Sequence, residues 1–495
     1  MQAIDWAVLL GYVALVLGIG WFVSRGTKSA EGHLRASRDL PAWAVVFSIL
    51  AAEVSAATYV GVPEGSYRRD WYYLQYAIGA LLGKWVVSHH FVRLYWRLNL
   101  PTAYGLLAQR IGPRSQRASA WTFLCGRLVA SGVRLYIAAI AFSVVTGLEE
   151  WLCIALMAGV STLYTLVGGL KAVVWTDVAQ GSVFFVGALT ALVVGLHAIG
   201  KPPGELLDEA LAAGKLEVFV LDEAPLQSLR SLASALLGGF LLALAVQGTD
   251  QEAVQHMLNT RSERSAGRTV LSSGLITFPI VASFLAVGTM LWLFERHVGT
   301  HGYALATEDE IKRVFPNFIL HELPVGVRGL VFAGLFAAAI SSLGATLNAA
   351  AAAWSNDIAP RRGTLSLSGV RVLTGVFGFV LAGIGLFFEW YARDSRSDLV
   401  QIALGAMTIL YGGILGAFLV ALFSARRGSD RSVPLGMLAG VACGALGFFQ
   451  EKLFERVYFS WPWTMALATL AAVAVGLLAA RRPALDWEAG PRRRE

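Results

Sequence analysis

The sequence contains little charge for its length. Only 15% of its 495 residues are Asp, Glu, Lys or Arg, whereas about 25% is usual for a soluble domain. It has three cysteines, Cys125, Cys153 and Cys443, which lie in apolar stretches without metal-ligand spacing. The composition therefore excludes a disordered chain, a secreted disulfide scaffold and a typical cytosolic enzyme. With 56% apolar residues and a mean hydropathy of +0.60, it indicates an all-α polytopic membrane protein.

The chain also lacks a long polar stretch. The longest segments between apolar runs, 200–229 and 297–324, are too short for an independent catalytic domain, although the acidic start of the second predicts a short surface helix. There is no HExxH or DDxxD motif, so we predict that the protein is not an enzyme. The net charge of +7 comes mostly from basic residues in short connecting segments, which indicates membrane topology rather than a nucleic-acid partner. Nothing in the sequence indicates an organic cofactor or an obligate protein partner.

Apolar runs fill most of the chain. A membrane helix needs about 20 mostly apolar residues, and about thirteen runs approach or exceed that length. They are 5–24, 43–62, 73–92, 119–147, 150–168, 176–198, 230–250, 269–296, 325–355, 368–390, 398–424, 433–449 and 462–480. The first run has no basic region before it, so we interpret it as a retained helix rather than a cleaved signal. We predict a single transmembrane domain over 1–480, with lipid as its surroundings.

The connecting segments differ in their content of Lys and Arg. Successive connecting segments lie on opposite sides of the membrane and so form two sets. More Lys and Arg residues occur in the set that includes 25–38, 93–117 and the tail 481–495. Basic segments face the cytoplasm. Thirteen spans then place the N-terminus outside and the C-terminus, with its basic tail, in the cytoplasm. We predict a multi-pass protein of the cell inner (plasma) membrane.

The run 43–62 carries polar groups at membrane depth. Glu53, Ser55 and Thr58 interrupt its apolar residues, and Gly61 and Pro63 follow. A buried carboxylate is costly unless it is paired, and an ionisable residue inside a membrane is a functional hypothesis by default. A helix that breaks here would free backbone carbonyls for a cation. The alternative is a continuous helix in which Glu53 only joins neighbouring helices.

Two further segments offer oxygen atoms. The run 333–348 is rich in small residues and contains adjacent hydroxyls, Ser341 and Ser342, with Ala338 one turn earlier. Such oxygens suit a hard cation, although serines in lipid are often bonded to their own preceding turn. In the segment 164–180, a Gly-Gly pair and Lys171 precede Asp177, which is either a functional acid or a helix N-cap.

These segments together resemble the sodium:solute symporter family. The segment 164–180 is the most specific signature, and 247–251, 100–104 and the Ala-Ile-Ser-Ser…Leu-Asn run of the ninth span are also alike. The resemblance implies a LeuT-like fold of two inverted five-helix repeats, of the class called the APC superfamily. The repeats would be 43–198 and 230–424, with peripheral helices at 5–24 and 433–480, and the second and seventh spans would be broken.

The resemblance also implies a sodium site. Residue by residue, its ligands fall on the carbonyls of Ala51, Val54 and Ala338 and on the hydroxyls of Ser341 and Ser342. Asp177 matches an acid that lines the family's inner sodium exit path. Some sialic acid symporters in the family use two further serines for a second sodium, but Gly344 and Ala345 stand there in this chain. We therefore predict one sodium per cycle.

The solute is less well defined by the sequence. Arg127 and Arg134 lie seven residues apart in the fourth span, on about the same helix face. Either could bind a carboxylate bidentately. The alternatives are an internal ion pair, for example Arg134 with Glu53, or an Arg127 that lies near the membrane interface and extends its charge to water. The remaining candidate cavity residues are Ser55, Thr58, Gln75 and Phe240, besides Glu53. We favour a small organic solute, with an anion slightly ahead.

The predicted function is sodium-coupled import of this solute by alternating access. Two alternatives remain at the sequence level. The nearest is a proton-coupled symporter of the same fold in which Glu53 titrates. The other is a solute sensor on a transporter scaffold, although no appended signalling domain follows residue 480.

Overall fold

The fold is helical throughout the part of the chain that the structure describes. The computed structural model describes residues 2–24, 40–55, 57–98, 100, 102–258, 260–359, 366–392 and 399–480. The predicted tail 481–495 lies outside these residues. Within them, only two isolated β-bridges occur and there is no sheet. Helices are expected because the bilayer core offers no water to backbone groups, so each segment must satisfy its own N–H and C=O.

Nineteen α-helices follow one another along the described residues. They are α1 Ala3–Ser24, α2 Ala42–Glu53, α3 Val62–Arg68, α4 Tyr73–Val86, α5 Val92–Leu98, α6 Gly105–Arg110, α7 Pro113–Thr146, α8 Glu150–Ile199, α9 Pro203–Ala212, α10 Leu232–Thr249, α11 Gln251–Leu258, α12 Glu263–His297, α13 Glu308–Lys312, α14 Val314–Glu322, α15 Val327–Ala353, α16 Leu367–Ala392, α17 Leu399–Phe423, α18 Ser432–Phe454 and α19 Trp461–Gly476. Three π-helical turns, Ala57–Gly61, Val87–Phe91 and Trp354–Ile358, adjoin α3, α4 and α15. A short helix is present at the acidic start of 297–324 as α13, and a second helix, α14, follows it with most of its residues buried.

The predicted number of spans is not confirmed. Among the described residues, seven helices are long and apolar enough to cross a membrane, or eight if the bent pair α2 and α3 forms one span. All thirteen predicted ranges overlap a helix. Four further apolar stretches, in α1, α8, α17 and α19, have only 10–17 residues within the described part of the chain, so they fall below the length that the count requires.

The sequence prediction was wrong about the region around Gly168 and Gly169. It placed two helices there, 150–168 and 176–198, whereas the structure has one continuous element, α8, of 50 residues. A glycine in a helix costs only about 1 kcal/mol relative to alanine. A Gly-Gly pair therefore weakens a helix without necessarily ending it.

The second predicted span is broken, as expected. Helix α2 ends at Glu53, and Val54 has an extended backbone with φ −82° and ψ 95°. The chain resumes as a π-turn and then as α3, whose second residue is Pro63. The two halves are bent by 67° relative to each other. This break leaves the last carbonyls of α2 without helical partners.

The seventh predicted span, 230–250, is helical as far as Thr249, and the chain breaks at its end. Helix α10 ends at Thr249, Asp250 is extended with φ −78° and ψ 129°, and α11 begins at Gln251. The two breaks thus place backbone and carboxylate groups in the interior of the helix bundle. Non-helical backbone at membrane depth is tolerated only where protein or a water-filled cavity covers it.

Helix α15 occupies the centre of the bundle. Nearly every residue from Gly329 to Ala353 is buried, and the helix packs along α8 and against α1, α2 and α7. Its run of alanine, glycine and serine allows this close approach from several sides. The segment that carries Ser341 and Ser342 is therefore surrounded by other helices rather than by lipid.

Helices α4 and α10 approach each other through paired glycines. A Cβ atom on Gly79 would lie 2.2 Å from the Leu236 carbonyl oxygen, and one on Gly239 would lie 2.1 Å from the Tyr76 carbonyl oxygen. No side chain fits at either position without moving a backbone. The contact fixes α4 beside α10, the helix that precedes the second break.

We expect Gly239→Ala to lower the thermal unfolding midpoint of the detergent-purified protein. Overpacking of this kind costs about 1–3 kcal/mol, which outweighs the gain in helix propensity. Gly159→Ala in α8 is the matched control, because its added methyl meets nothing within 4 Å. Equal midpoints for the two variants would contradict the close packing of α4 and α10.

Candidate functional site

A cavity of about 210 Å³ lies between the two broken spans and their neighbours. Its apolar walls include Tyr73, Tyr76, Leu242 and Met407. Its polar lining comes from α2, α4, α7, α10, α11 and α12 and the break after α2. The polar side chains are Glu53, Ser55, Thr58, Lys84, Arg127, Arg134, Gln247, Asp250, Glu252, His256 and Thr277. An apolar pocket with a few convergent polar groups is the usual form of a small-molecule site.

Glu53 is paired in this cavity. Lys84 Nζ lies 2.8 Å from Glu53 Oε1, and Gln247 Nε2 donates a hydrogen bond of 2.5 Å to the same carboxylate. These contacts tie the end of α2 to α4 and α10. The pair of Arg134 with Glu53 that the sequence suggested is not formed, because Lys84 occupies that position.

Arg127 is held by carboxylates and is not available to a solute. Its Nη1 lies 3.4 Å from Asp250 Oδ2, its Nη2 is ion-paired with Glu252, and its Nε donates to Thr346 Oγ1 at 3.1 Å. Tyr411 also donates to Asp250 at 2.5 Å. This network joins α7 to the second break, to α15 and to α17.

Arg134 differs from Arg127 although both line the cavity. Its Nη1 atom is buried and has no hydrogen-bond partner among the described residues. A guanidinium has five N–H donors and no acceptor, and an unmet buried donor is costly. Of the two arginines, Arg134 is therefore the one with capacity to bind an incoming anion.

The other candidate cavity residues divide into two groups. Ser55 and Thr58 line the cavity beside Glu53. Gln75 and Phe240 are not part of its lining: the Gln75 amide donates to the Tyr72 and Arg230 carbonyls at 3.3 and 3.1 Å, and Phe240 packs in an apolar cluster. Both contacts stabilise the walls around the cavity rather than its interior.

Asp177 lies inside α8, so it is not a helix N-cap. It is fully buried and accepts two hydrogen bonds, from Ser341 Oγ to Oδ1 at 2.6 Å and from Ser48 Oγ to Oδ2 at 2.5 Å. Ser48 belongs to α2 and Ser341 to α15. One carboxylate therefore joins three helices beside the break in α2.

Backbone and hydroxyl oxygens lie at the end of α2 and along α15. The last helical bond of α2 runs from Val54 N–H to the Leu50 carbonyl at 2.8 Å, so the Ala51 carbonyl follows the end of the helical ladder. The Ala51 side chain faces Gly181 of α8, where an added Cβ would lie 3.7 Å from it. Ser342 donates to the Ala339 carbonyl at 3.2 Å. Carbonyls and hydroxyls of this kind are the ligands that hard cations prefer.

Sequence reasoning missed several cavity residues. Lys84, Glu252 and His256 were not singled out, and Asp250 was only quoted as part of a motif. Lys84 carried a usable signal, because a lysine inside the apolar run 73–92 must find a counter-charge. Asp250 and Glu252 follow the end of a predicted span, where acids are unremarkable.

Comparison with known proteins identifies the family of the chain. Residues 33–440 match the sodium:solute symporter family. The chain belongs to this family. It is 26% identical over 445 residues to the sodium/sialic acid symporter SiaT of Proteus mirabilis, covering 88% of each chain. It is 29% identical to the sodium-dependent multivitamin transporter of Oryctolagus cuniculus, covering 88% of this chain and 69% of the relative.

A solved structure shares the fold. The substrate-bound outward-open structure of a Na⁺-coupled sialic acid symporter superposes with a TM-score of 0.83 at 22% identity, covering 97% of this chain and 99% of the other. The LeuT-like helical fold expected from the sequence is thereby confirmed. The protein is a multi-pass membrane transporter and a sodium-coupled symporter of its family.

The two arginines of α7 are expected to respond differently to the same substitution. Arg127→Leu leaves Asp250 and Glu252 buried without their cation, and breaking such a pair costs about 3–5 kcal/mol. Arg134→Leu removes a guanidinium whose Nη1 has no hydrogen-bond partner among the described residues, so we expect little loss of stability. Thermal unfolding of both purified variants in detergent measures the difference, and equally large losses would contradict the assigned pairing.

Proposed function

We propose that this symporter imports a small organic anion through the central cavity, with Arg134 as the group that binds the anion. The observation that carries the proposal is the buried Nη1 of Arg134, which has no hydrogen-bond partner in the described chain. The remaining cations of the cavity, Lys84 and Arg127, are paired with carboxylates. A carboxylate accepts two parallel N–H bonds from a guanidinium. The sialic acid symporter SiaT, a relative, is by its name a carrier of such an acid.

We further propose that sodium binds between the break in α2 and the centre of α15. Its ligands would be the carbonyls of Ala51, Val54 and Ala338 and the hydroxyls of Ser341 and Ser342. Ser341 donates its only hydrogen to Asp177 and Ser342 donates its hydrogen to Ala339. Because both hydrogens are engaged elsewhere, the oxygen lone pairs remain for a cation.

The two sites suggest how binding is converted into transport. Sodium would join α2 to α15 and favour a conformation in which the solute cavity is complete. The solute would bind between the broken spans, and the helices around them would then rock so that the cavity opens to the other side. Asp177, which contacts Ser341, would line the path by which sodium leaves.

The proposal includes a stoichiometry. Gly344 and Ala345 offer no side-chain oxygen for a second sodium, so we propose one sodium per solute. One sodium with a monoanion moves no net charge, so the membrane potential would not drive the cycle. A role for Glu53 as a proton carrier is less favoured, because Lys84 and Gln247 both donate to its carboxylate.

Sodium affinity tests the cation site. We expect Ser342→Ala to weaken sodium binding by at least tenfold, since one of about five ligands is lost, when ²²Na⁺ binding to purified protein is titrated. Ser283→Ala in α12 is the control, because Ser283 donates to the Ile280 carbonyl in a similar local bond. Unchanged sodium affinity in the Ser342 variant would remove the proposed site.

Solute affinity tests the role of Arg134. A thermal-shift screen of carboxylates, sugars and amino acids, with and without sodium, first identifies a ligand. For a carboxylate found in this way, we expect Arg134→Gln to weaken binding by about 10- to 100-fold, the usual value of a charge-assisted hydrogen bond. Arg134→Lys should recover part of this loss. If neutral sugars bind and no carboxylate does, the anion proposal is wrong.

A further inference from the structure

His256 lines the cavity and has one ring nitrogen without a hydrogen-bond partner among the described residues. The residue lies in α11, is 2% exposed and is part of the cavity lining. Its Nδ1 lies 2.8 Å from Ser48 Oγ. Its Nε2 is buried and makes no hydrogen bond with any described residue. None of the roles assigned above uses this imidazole.

The hydrogen bonds around Ser48 determine which nitrogen of His256 carries the proton. A serine hydroxyl has one hydrogen, and Ser48 donates it to Asp177. Ser48 must therefore accept from His256, so Nδ1 carries the hydrogen. In a neutral imidazole the other nitrogen, Nε2, is then a bare acceptor. Two residues that line the cavity thus each have a buried polar atom without a partner among the described residues, an acceptor in His256 and a donor in Arg134.

The same hydrogen bonds form a chain from the cavity to the proposed sodium ligands. The chain runs from His256 to Ser48, then to Asp177, and then to Ser341. It links α11, α2, α8 and α15, and two of these helices are halves of the broken spans. Ser48 also lies one turn before Ala51 in α2. Linked hydrogen bonds strengthen one another in a low-dielectric interior.

We propose that His256 Nε2 accepts a hydrogen bond from the solute and that the Ser48–Asp177 chain couples this contact to sodium binding at Ser341. The inference rests on the proposed function and narrows its solute to a carboxylate that also carries a donor, such as a hydroxyl or an amide N–H. A hydroxy acid or sugar acid satisfies both Arg134 and His256. A simple carboxylate leaves the buried Nε2 unsatisfied, and such an atom costs binding energy.

Two substitutions of His256 test the roles of its two ring nitrogens separately. Asparagine has a short side chain that can keep the contact with Ser48 but does not reach the position of Nε2. Glutamine is longer and can place an acceptor near that position while it loses the contact with Ser48. Ser48→Ala interrupts the chain without changing any group that lines the cavity. Ser182→Ala, an exposed serine of α8 that bonds its own preceding turn, is the matched control.

The experiment measures binding of lactate and propionate, which differ by one hydroxyl, to purified protein in sodium and in choline. Wild type and Ser182→Ala should bind lactate about tenfold more tightly than propionate, the value of one hydrogen bond, and sodium should tighten lactate binding. His256→Asn should lose the preference for lactate. His256→Gln should retain it. In Ser48→Ala and His256→Gln, the factor by which sodium tightens lactate binding should fall at least fivefold. The factor by which lactate tightens sodium binding should fall by the same amount.

The outcomes distinguish this inference from the proposed function. Wild type that binds both acids equally, with sodium still tightening both, overturns the role of His256 and leaves the proposed function in place. An unchanged sodium effect in Ser48→Ala overturns the coupling. Wild type that binds neither acid, while neutral sugars bind, overturns the anion proposal and this inference with it. A single cooperative thermal unfolding transition in detergent shows that each variant is folded, and the sodium effect is compared within each variant as the ratio of lactate affinities in sodium and in choline.

Discussion

The fully buried carboxylate of Asp177 holds together the part of the protein on which the rest depends. It accepts one hydrogen bond from Ser48 of α2 and one from Ser341 of α15, so three helices meet at a single side chain. Neither serine could satisfy a buried carboxylate alone, and an unsatisfied carboxylate is strongly unfavourable in an apolar interior. The position of the break in α2 relative to α15 therefore depends on this contact.

A second constraint is the pairing of charges inside the bundle. The cavity contains three cations and three carboxylates, and two of the cations are paired directly with carboxylates. Arg127 joins two carboxylates at the second break, while Glu53 at the first break is joined to Lys84. Charged groups that satisfy one another build the walls, whereas Arg134, two helical turns from Arg127, keeps an Nη1 without a hydrogen-bond partner among the described residues.

The sequence was a good guide to local structure because lipid imposes simple demands. Apolar runs predicted where helices lie, and Glu53, Gly61 and Pro63 predicted the break in the second span. The prediction failed at Gly168 and Gly169, where helical hydrogen bonding outweighed a weak local preference. It also failed to pair Glu53 correctly, because Lys84 lies 31 residues away in the chain and nothing local indicates that the two meet. Gln75 and Phe240 were expected in the cavity for a similar reason: polarity and size do not reveal the direction of a side chain.

By itself, the sequence determined that this is a helical membrane protein with polar residues at one interrupted segment, 43–62, and adjacent hydroxyls in the small-residue run 333–348, because those properties follow from hydropathy and backbone hydrogen bonding within a short stretch. Only the tertiary structure decided which of Arg127 and Arg134 is paired with carboxylates, since the carboxylates that hold Arg127 lie more than 120 residues further along the chain. It also decided that His256 lies between the cavity and Ser48. Electrostatic pairing depends on the distance between charges in space. Folding brings together charges that are far apart along the chain, and their separation in the sequence does not predict that distance.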